Sequence, residues 1–185
     1  PAVEPISTAE AKLHLRVTQS AEDDYIDRLI KSARQQVESA TGRALINQTW
    51  YLYLDGFPPD DRIRLPKAPL SSITSLVYTD SDGAATTFTA DDWDADTNPT
   101  PGELVLVYNK QWPTPSALRP HSPIVVEYVA GYGAAGSSVP EPIRDAMYLL
   151  IGDAYTFRES LVTGTIVNTV RGVGDLFANY IVEAW

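Results

Sequence analysis

The chain has no cysteine, so disulfides, thiolate metal sites and a thiol nucleophile are excluded from the outset. It has only two histidines, His14 and His121, far apart in sequence, which leaves no basis for a multi-histidine metal site. No apolar run approaches the roughly 20 residues that a membrane-spanning helix needs. The opening residues PAVEPISTAEAK lack a basic stretch followed by an apolar one, so no secretory signal is expected there, and Pro1 is expected to follow a removed initiator Met. Without secretion, the sequon at Asn47-Gln48-Thr49 carries no meaning.

Basic charge is also scarce. Against 24 acidic residues stand 14 basic ones, a net charge of −10. The excess lies mostly in the middle: residues 46–138 carry five basic and eleven acidic groups, a difference of −6. A protein that grips or reads DNA shows a basic footprint, because its affinity comes from neutralising phosphates. This chain has the reverse, which suits solubility or a surface past which DNA slides without sticking.

What the sequence does have is two periodicities. Ser7-Thr8-Ala9-Glu10 fits the S/T-x-x-E capping box and predicts a short helix ending near Leu15. A second helix is expected over residues 21–41, where Ile26, Leu29, Ile30, Ala33, Val37 and Ala40 form one apolar stripe. Glu22, Asp23 and Asp24 favour its positive end, and Gly42 suits its C-terminal turn. From Asn47 the period falls to two. Strands are expected over residues 49–54, 63–65, 73–79, 86–89, 103–108 and 124–129, with Asp82-Gly83 as a hairpin turn. Many of the fourteen prolines lie in or beside this region, as in short strands joined by stiff loops.

A third helix is expected over residues 140–159, opened by Pro140 and Pro142. Ile143, Ala146, Met147, Leu150, Ile151 and Ala154 make its stripe; Leu149 and Phe157 widen it, so cover on more than one side is expected. The simplest packing sets this helix on the second. The residues thus predict an α+β fold: a helical body at 1–45 and 136–160, an inserted antiparallel β-domain at 46–135, and a C-terminal interaction arm at 161–185. The arm reading rests on Leu161 to Val170, which is β-prone and nearly uncharged and has the character of a strand or groove ligand; the alternative is a tail that folds back on its own body. After it, Asp175 is expected to cap a last short helix. The arm's candidate partner-binding residues are Leu161, Ile166, Val167, Leu176, Phe177, Tyr180, Ile181 and Trp185.

Three motifs suggest chemistry and are outweighed by plainer readings. Gly131-Tyr132-Gly133-Ala134-Ala135-Gly136 fits G-x-G-x-x-G, but no βαβ pattern surrounds it and the helix starts too late, so a strand-exit turn is expected. Asp92, Asp94, Asp96 and Glu103 fall at calcium-loop positions 1, 3, 5 and 12, yet Thr97 stands where the turn glycine belongs; an acidic loop between strands is expected. Trp50-Tyr51-Leu52-Tyr53 could stack on sugars or bases, but alternation puts Trp50 and Leu52 on one face, as core packing requires. No G-x-S-x-G elbow occurs. No catalytic residue, cofactor or metal is therefore expected.

The order and spacing of several segments resemble the head–tail connector (adaptor) proteins of tailed phages and gene transfer agents. They are Ser7 to Val17 with Glu22-Asp23-Asp24; Thr41 to Ile46 with Gln48-Thr49-Trp50; Leu65 to Leu70 with Ile73-Thr74-Ser75; and Val129 to Gly133 followed by Val139 to Arg144. The resemblance implies a non-enzymatic structural virion protein, made in the host cytoplasm and placed in the neck. It implies a homo-oligomeric ring of about twelve copies beneath the portal protein. That ring would meet a stopper, tail-terminator or tail-tube protein, with DNA only passing through its lumen and no membrane contact. A tail-completion or stopper protein of the same region is the nearest alternative; a stand-alone ligand-binding or hydrolytic domain is the alternative of a different class.

Overall fold

The structure is a computed structural model and describes residues 1–115, 117–157 and 173–182. The chain divides into two compact units, one formed by Pro1–Ile46 with Gly133–Trp185 and the other by Asn47–Tyr132.

The first unit is helical. Helix α1 (Thr8–Leu15) begins in the expected capping box: the Ser7 hydroxyl accepts from the Glu10 amide at 3.2 Å, and the Ser7 amide donates to the Glu10 carboxylate at 2.8 Å. It ends at Arg16, a non-glycine residue at φ 56° whose amide closes onto the Leu13 and Lys12 carbonyls. Helix α2 (Asp23–Thr41) ends at Gly42, where φ of 71° is the left-handed conformation that favours glycine. Helix α3 (Glu141–Thr156) carries Pro142 in its first turn, where the missing amide costs nothing.

Helices α2 and α3 pack through the predicted stripes. Ile26, Ile30, Ala33 and Val37 of α2 are buried, as are Ile143, Ala146, Met147 and Ile151 of α3. Each large aliphatic side chain among them contributes about 1.5–3 kcal/mol by leaving water. Arg34 is the buried charge of α2, offset by Glu4 at 2.8 Å and Glu38 at 2.7 Å. Glu38 also accepts from the Leu45 amide at 3.0 Å, which fixes the chain where it leaves the helix. Gly136, the first residue of the short 3-10 turn Gly136–Ser138, lies so close to the Pro5 carbonyl that an added Cβ would sit 2.5 Å from its oxygen.

The second unit is antiparallel β. Its four-stranded sheet runs β1 (Gln48–Leu54), β7 (Ile124–Ala130), β3 (Leu70–Thr79), β4 (Ala85–Thr87). A three-stranded sheet runs β2 (Arg62–Arg64), β6 (Glu103–Leu106), β5 (Trp93–Asp96). Central strand β7 alternates strictly: Ile124, Val126, Tyr128 and Ala130 are buried, and the residues between them are half-buried. Register places Trp50 beside Tyr128 and Leu52 beside Val126 on that buried face, with Tyr51 and Tyr53 exposed on the other. The Tyr128 hydroxyl accepts from the Lys67 amide at 3.3 Å and holds the loop after β2; burial raises its pKa.

Strand β5 was not among the sequence expectations. The stretch around Asp92, Asp94 and Asp96 is a 3-10 turn leading into a strand, not a loop. As an edge strand it keeps Asp94 exposed, which discourages further strands from adding there.

Candidate partner-binding surface

The last described segment follows α3 in the helical unit. Helix α4 (Val173–Phe177) begins two residues before Asp175, which therefore lies inside the helix and does not cap it. It is followed by the 3-10 turn Ala178–Tyr180. Helix α4 packs on α3, and Val173 is buried. The Val182 amide donates to the Thr41 carbonyl at 2.8 Å, and the Arg43 guanidinium donates to the Tyr180 carbonyl at 2.5 Å. Arg43 also stands over the Tyr180 ring, 5.9 Å from its centre. Residues 173–182 are thus fastened to the end of α2.

Of the predicted arm residues, Leu176, Phe177 and Tyr180 are half-buried in this segment and Ile181 is exposed. Leu161, Ile166, Val167 and Trp185 lie outside the described residues.

As expected, α3 is covered on more than one side, by α1, α2 and α4. Of the side chains that widen its stripe, however, Leu149 is 41% exposed and Phe157 50% exposed, and Leu13 of α1 is 82% exposed. These surface apolar side chains were missed as interaction candidates. The available signal was apolarity all round α3, which marks either a buried helix or a helix with a further face to cover. On the flank of α3, His14 stacks on Tyr148 with ring centres 5.1 Å apart.

A polar node ties α1 to α3. Arg144 donates to Glu10 at 2.6 Å and to Glu141 at 3.0 Å. Hydrogen bonds from the Ser7 hydroxyl and amide, and the charge of Arg144, hold the Glu10 carboxyl below its ordinary pKa of 4.5 against a desolvation effect that raises it. A carboxylate with a lowered folded-state pKa contributes stability above its unfolded pKa and loses it as pH falls through the folded value. Glu10→Gln keeps a capping-box residue but removes the charge beside Arg144 and the helix N-terminus, and is therefore expected to cost about 0.5 kcal/mol near pH 7. Below pH 4.5 the gap between variant and parent should close. Melting curves across pH 7 to 3 check this; a gap that persists in acid would assign the loss to packing.

The motifs that suggested chemistry have structural uses. Gly131 donates its amide to the Pro69 carbonyl at 2.9 Å, as a strand-exit turn does, and the following helix starts only at Glu141. Glu103 is buried and paired with Arg62 and Arg64, both at 3.0 Å. Asp92 pairs with Lys110, and Asp96 accepts from the Asn98 amide and side chain. Among the described residues, no group of three or more His, Asp or Glu is placed to hold a metal ion. Among the same residues, no helix is long and apolar enough to cross a membrane.

Residues 6–88, just under half of the chain, match the family model of the phage gp6-like head-tail connector protein. Through this segment the chain is similar to the head–tail connector family.

The likeness in fold extends further. A chain in the structure titled "Neck of empty GTA particle computed with C6 symmetry" superposes with a TM-score of 0.80 and 24% identity, covering 98% of this chain and 91% of that one. A chain from the virion of a native gene transfer agent (GTA) particle gives 0.79 and 23%, with the same coverage. One from the neck of a native GTA particle computed with C12 symmetry gives 0.74 and 23%, covering 96% and 89%. At these identities the likeness establishes the fold. None of the curated proteins matches the chain.

Proposed function

We propose that this protein is a structural, non-enzymatic adaptor of the virion neck, forming a homo-oligomeric ring that joins a DNA-filled head to a tail and continues the DNA channel. The observation that carries this is the connector match over residues 6–88 within a fold shared along 98% of the chain with a protein from a GTA neck. The sixfold and twelvefold symmetries belong to those particles; here they support a ring of about twelve copies. Its neighbours would be a portal protein on one side and a stopper, tail-terminator or tail-tube protein on the other.

A net charge of −10 supports DNA that passes through without being gripped. The division of labour follows the chain: residues 1–45 and 136–160 form the body, 46–135 the inserted β-domain, and 161–185 the arm that docks on another subunit or on the portal. In the arm, Leu161, Ile166, Val167 and Trp185 would act with the anchored residues Leu176, Phe177, Tyr180 and Ile181.

Electron microscopy of the purified protein, alone and mixed with portal, tests the reading. Annular particles, or a second annulus beneath the portal, are expected. A chain that stays monomeric in both samples would overturn it.

A further inference from the structure

Net negative chains must bring enough opposite charge together to associate side by side. Among the described residues of the helical unit, several cations are already engaged within the chain. Lys12, Arg34 and Arg144 form ion pairs, and Arg43 holds the Tyr180 carbonyl. Two on α2 are not paired with any carboxylate among the described residues: Lys31, and Arg28, whose described contact is with the Tyr25 ring at 5.2 Å. Both are exposed and lie one turn apart, so their side chains share one surface.

Helix α3 has the complementary face. Asp145, Leu149 and Asp153 follow one another at four-residue steps and are all exposed. Neither aspartate is ion-paired among the described residues. By helical rise the two carboxylates stand about 12 Å apart along α3, with the apolar side chain between them. An apolar centre flanked by charge is the composition of an interface core with its rim. The α2 and α3 faces cannot satisfy each other within one copy, because both helices use their opposite, apolar sides for mutual packing.

We infer that the Asp145–Leu149–Asp153 face of α3 in one copy docks on the Arg28–Lys31 face of α2 in the next. This rests on the ring reading above and names the surfaces that make it. The occupant is a second copy of this chain because one unit carries both halves of the match. Two different faces on one subunit give a head-to-tail contact, which closes into a ring where the rotation allows and does not stop at a dimer.

Charge reversal tests the pairing. Asp145→Lys with Asp153→Lys, and separately Arg28→Glu with Lys31→Glu, should each weaken assembly at least tenfold by sedimentation while leaving the thermal melt in place. All four changes in one chain should restore the oligomer, because the pairs are again complementary. The absence of cysteine makes a second measurement clean: Leu149→Cys with Lys31→Cys should give a ladder of disulfide-linked multimers on mild oxidation.

Three outcomes overturn the inference. A parent chain that remains monomeric removes the ring reading and this contact with it. A parent that oligomerises, with neither reversal weakening it and no ladder, removes only this contact. Reversals at Arg28 and Lys31 that spare assembly but lower retention on DNA assign those cations to phosphate instead.

Discussion

Replacing Leu161, Ile166 and Val167 together by serine is expected to abolish attachment to the portal or to neighbouring copies while leaving the melting temperature of the chain nearly unchanged. The reason is a separation of roles along the C-terminal segment. Residues 173–182 are fastened to the helical unit through buried Val173, the Val182 amide on Thr41 and the Arg43 contacts with Tyr180. Removing everything after Glu159 would strip cover from α3 and disturb the end of α2, so a truncation confounds folding with docking. The triple replacement keeps those anchors. It removes three large apolar side chains whose burial at an interface is worth about 1.5–3 kcal/mol each, enough to turn a micromolar contact into no measurable one. Pull-down on portal and a melting curve are the two measurements. A drop of many degrees would place the three side chains in the protein's own core and end the arm reading.

A second large effect is expected from excising residues 47–132 and joining Ile46 to Gly133 with a few glycines. The helical unit should survive with its α-helical circular dichroism and a cooperative melt. The entry and exit of the β unit are adjacent: Gln48 at the start of β1 is the register partner of Ala130 at the end of β7. Paired residues in an antiparallel ladder lie about 5 Å apart, so a short linker replaces the whole excursion without stretching. Ile26, Ile30, Met147 and Ile151, buried in the helical unit, all lie outside the excised residues. A chain without cooperative melting after excision would mean that the β unit completes the helical core.

Much of this architecture was legible in the residues because local chemistry and tertiary packing agree there. The capping box at Ser7 and Glu10, the stripe of α2 and the glycine at position 42 each announce themselves within a few residues. The alternation in β1 assigned Trp50 and Tyr51 to opposite faces correctly. Strand β5 was missed because Asp-Trp-Asp-Ala-Asp is poor in β-formers; its pairing with β6 supplies from outside what propensity lacks. The start of α4 was missed because a cap was sought at Asp175, whereas Val173 begins the helix by packing.

The candidate surface was only half legible. Leu149 and Phe157 read as core because periodicity reports apolarity and not exposure; which flank of α3 lacks a neighbour is a property of the folded unit. Arg28 and Lys31 were invisible as candidates for the same reason. A charge run does not say which charges are left over once the chain has folded.

The fastening of residues 173–182 makes the end of α2 and the C-terminal segment one mechanical joint: the Thr41 carbonyl accepts from the Val182 amide, and Arg43 donates to the Tyr180 carbonyl. A pull on Tyr180 or Ile181 is therefore passed through α2 into the packed helices, so a load taken up there is borne by the core of the unit and not by the segment itself.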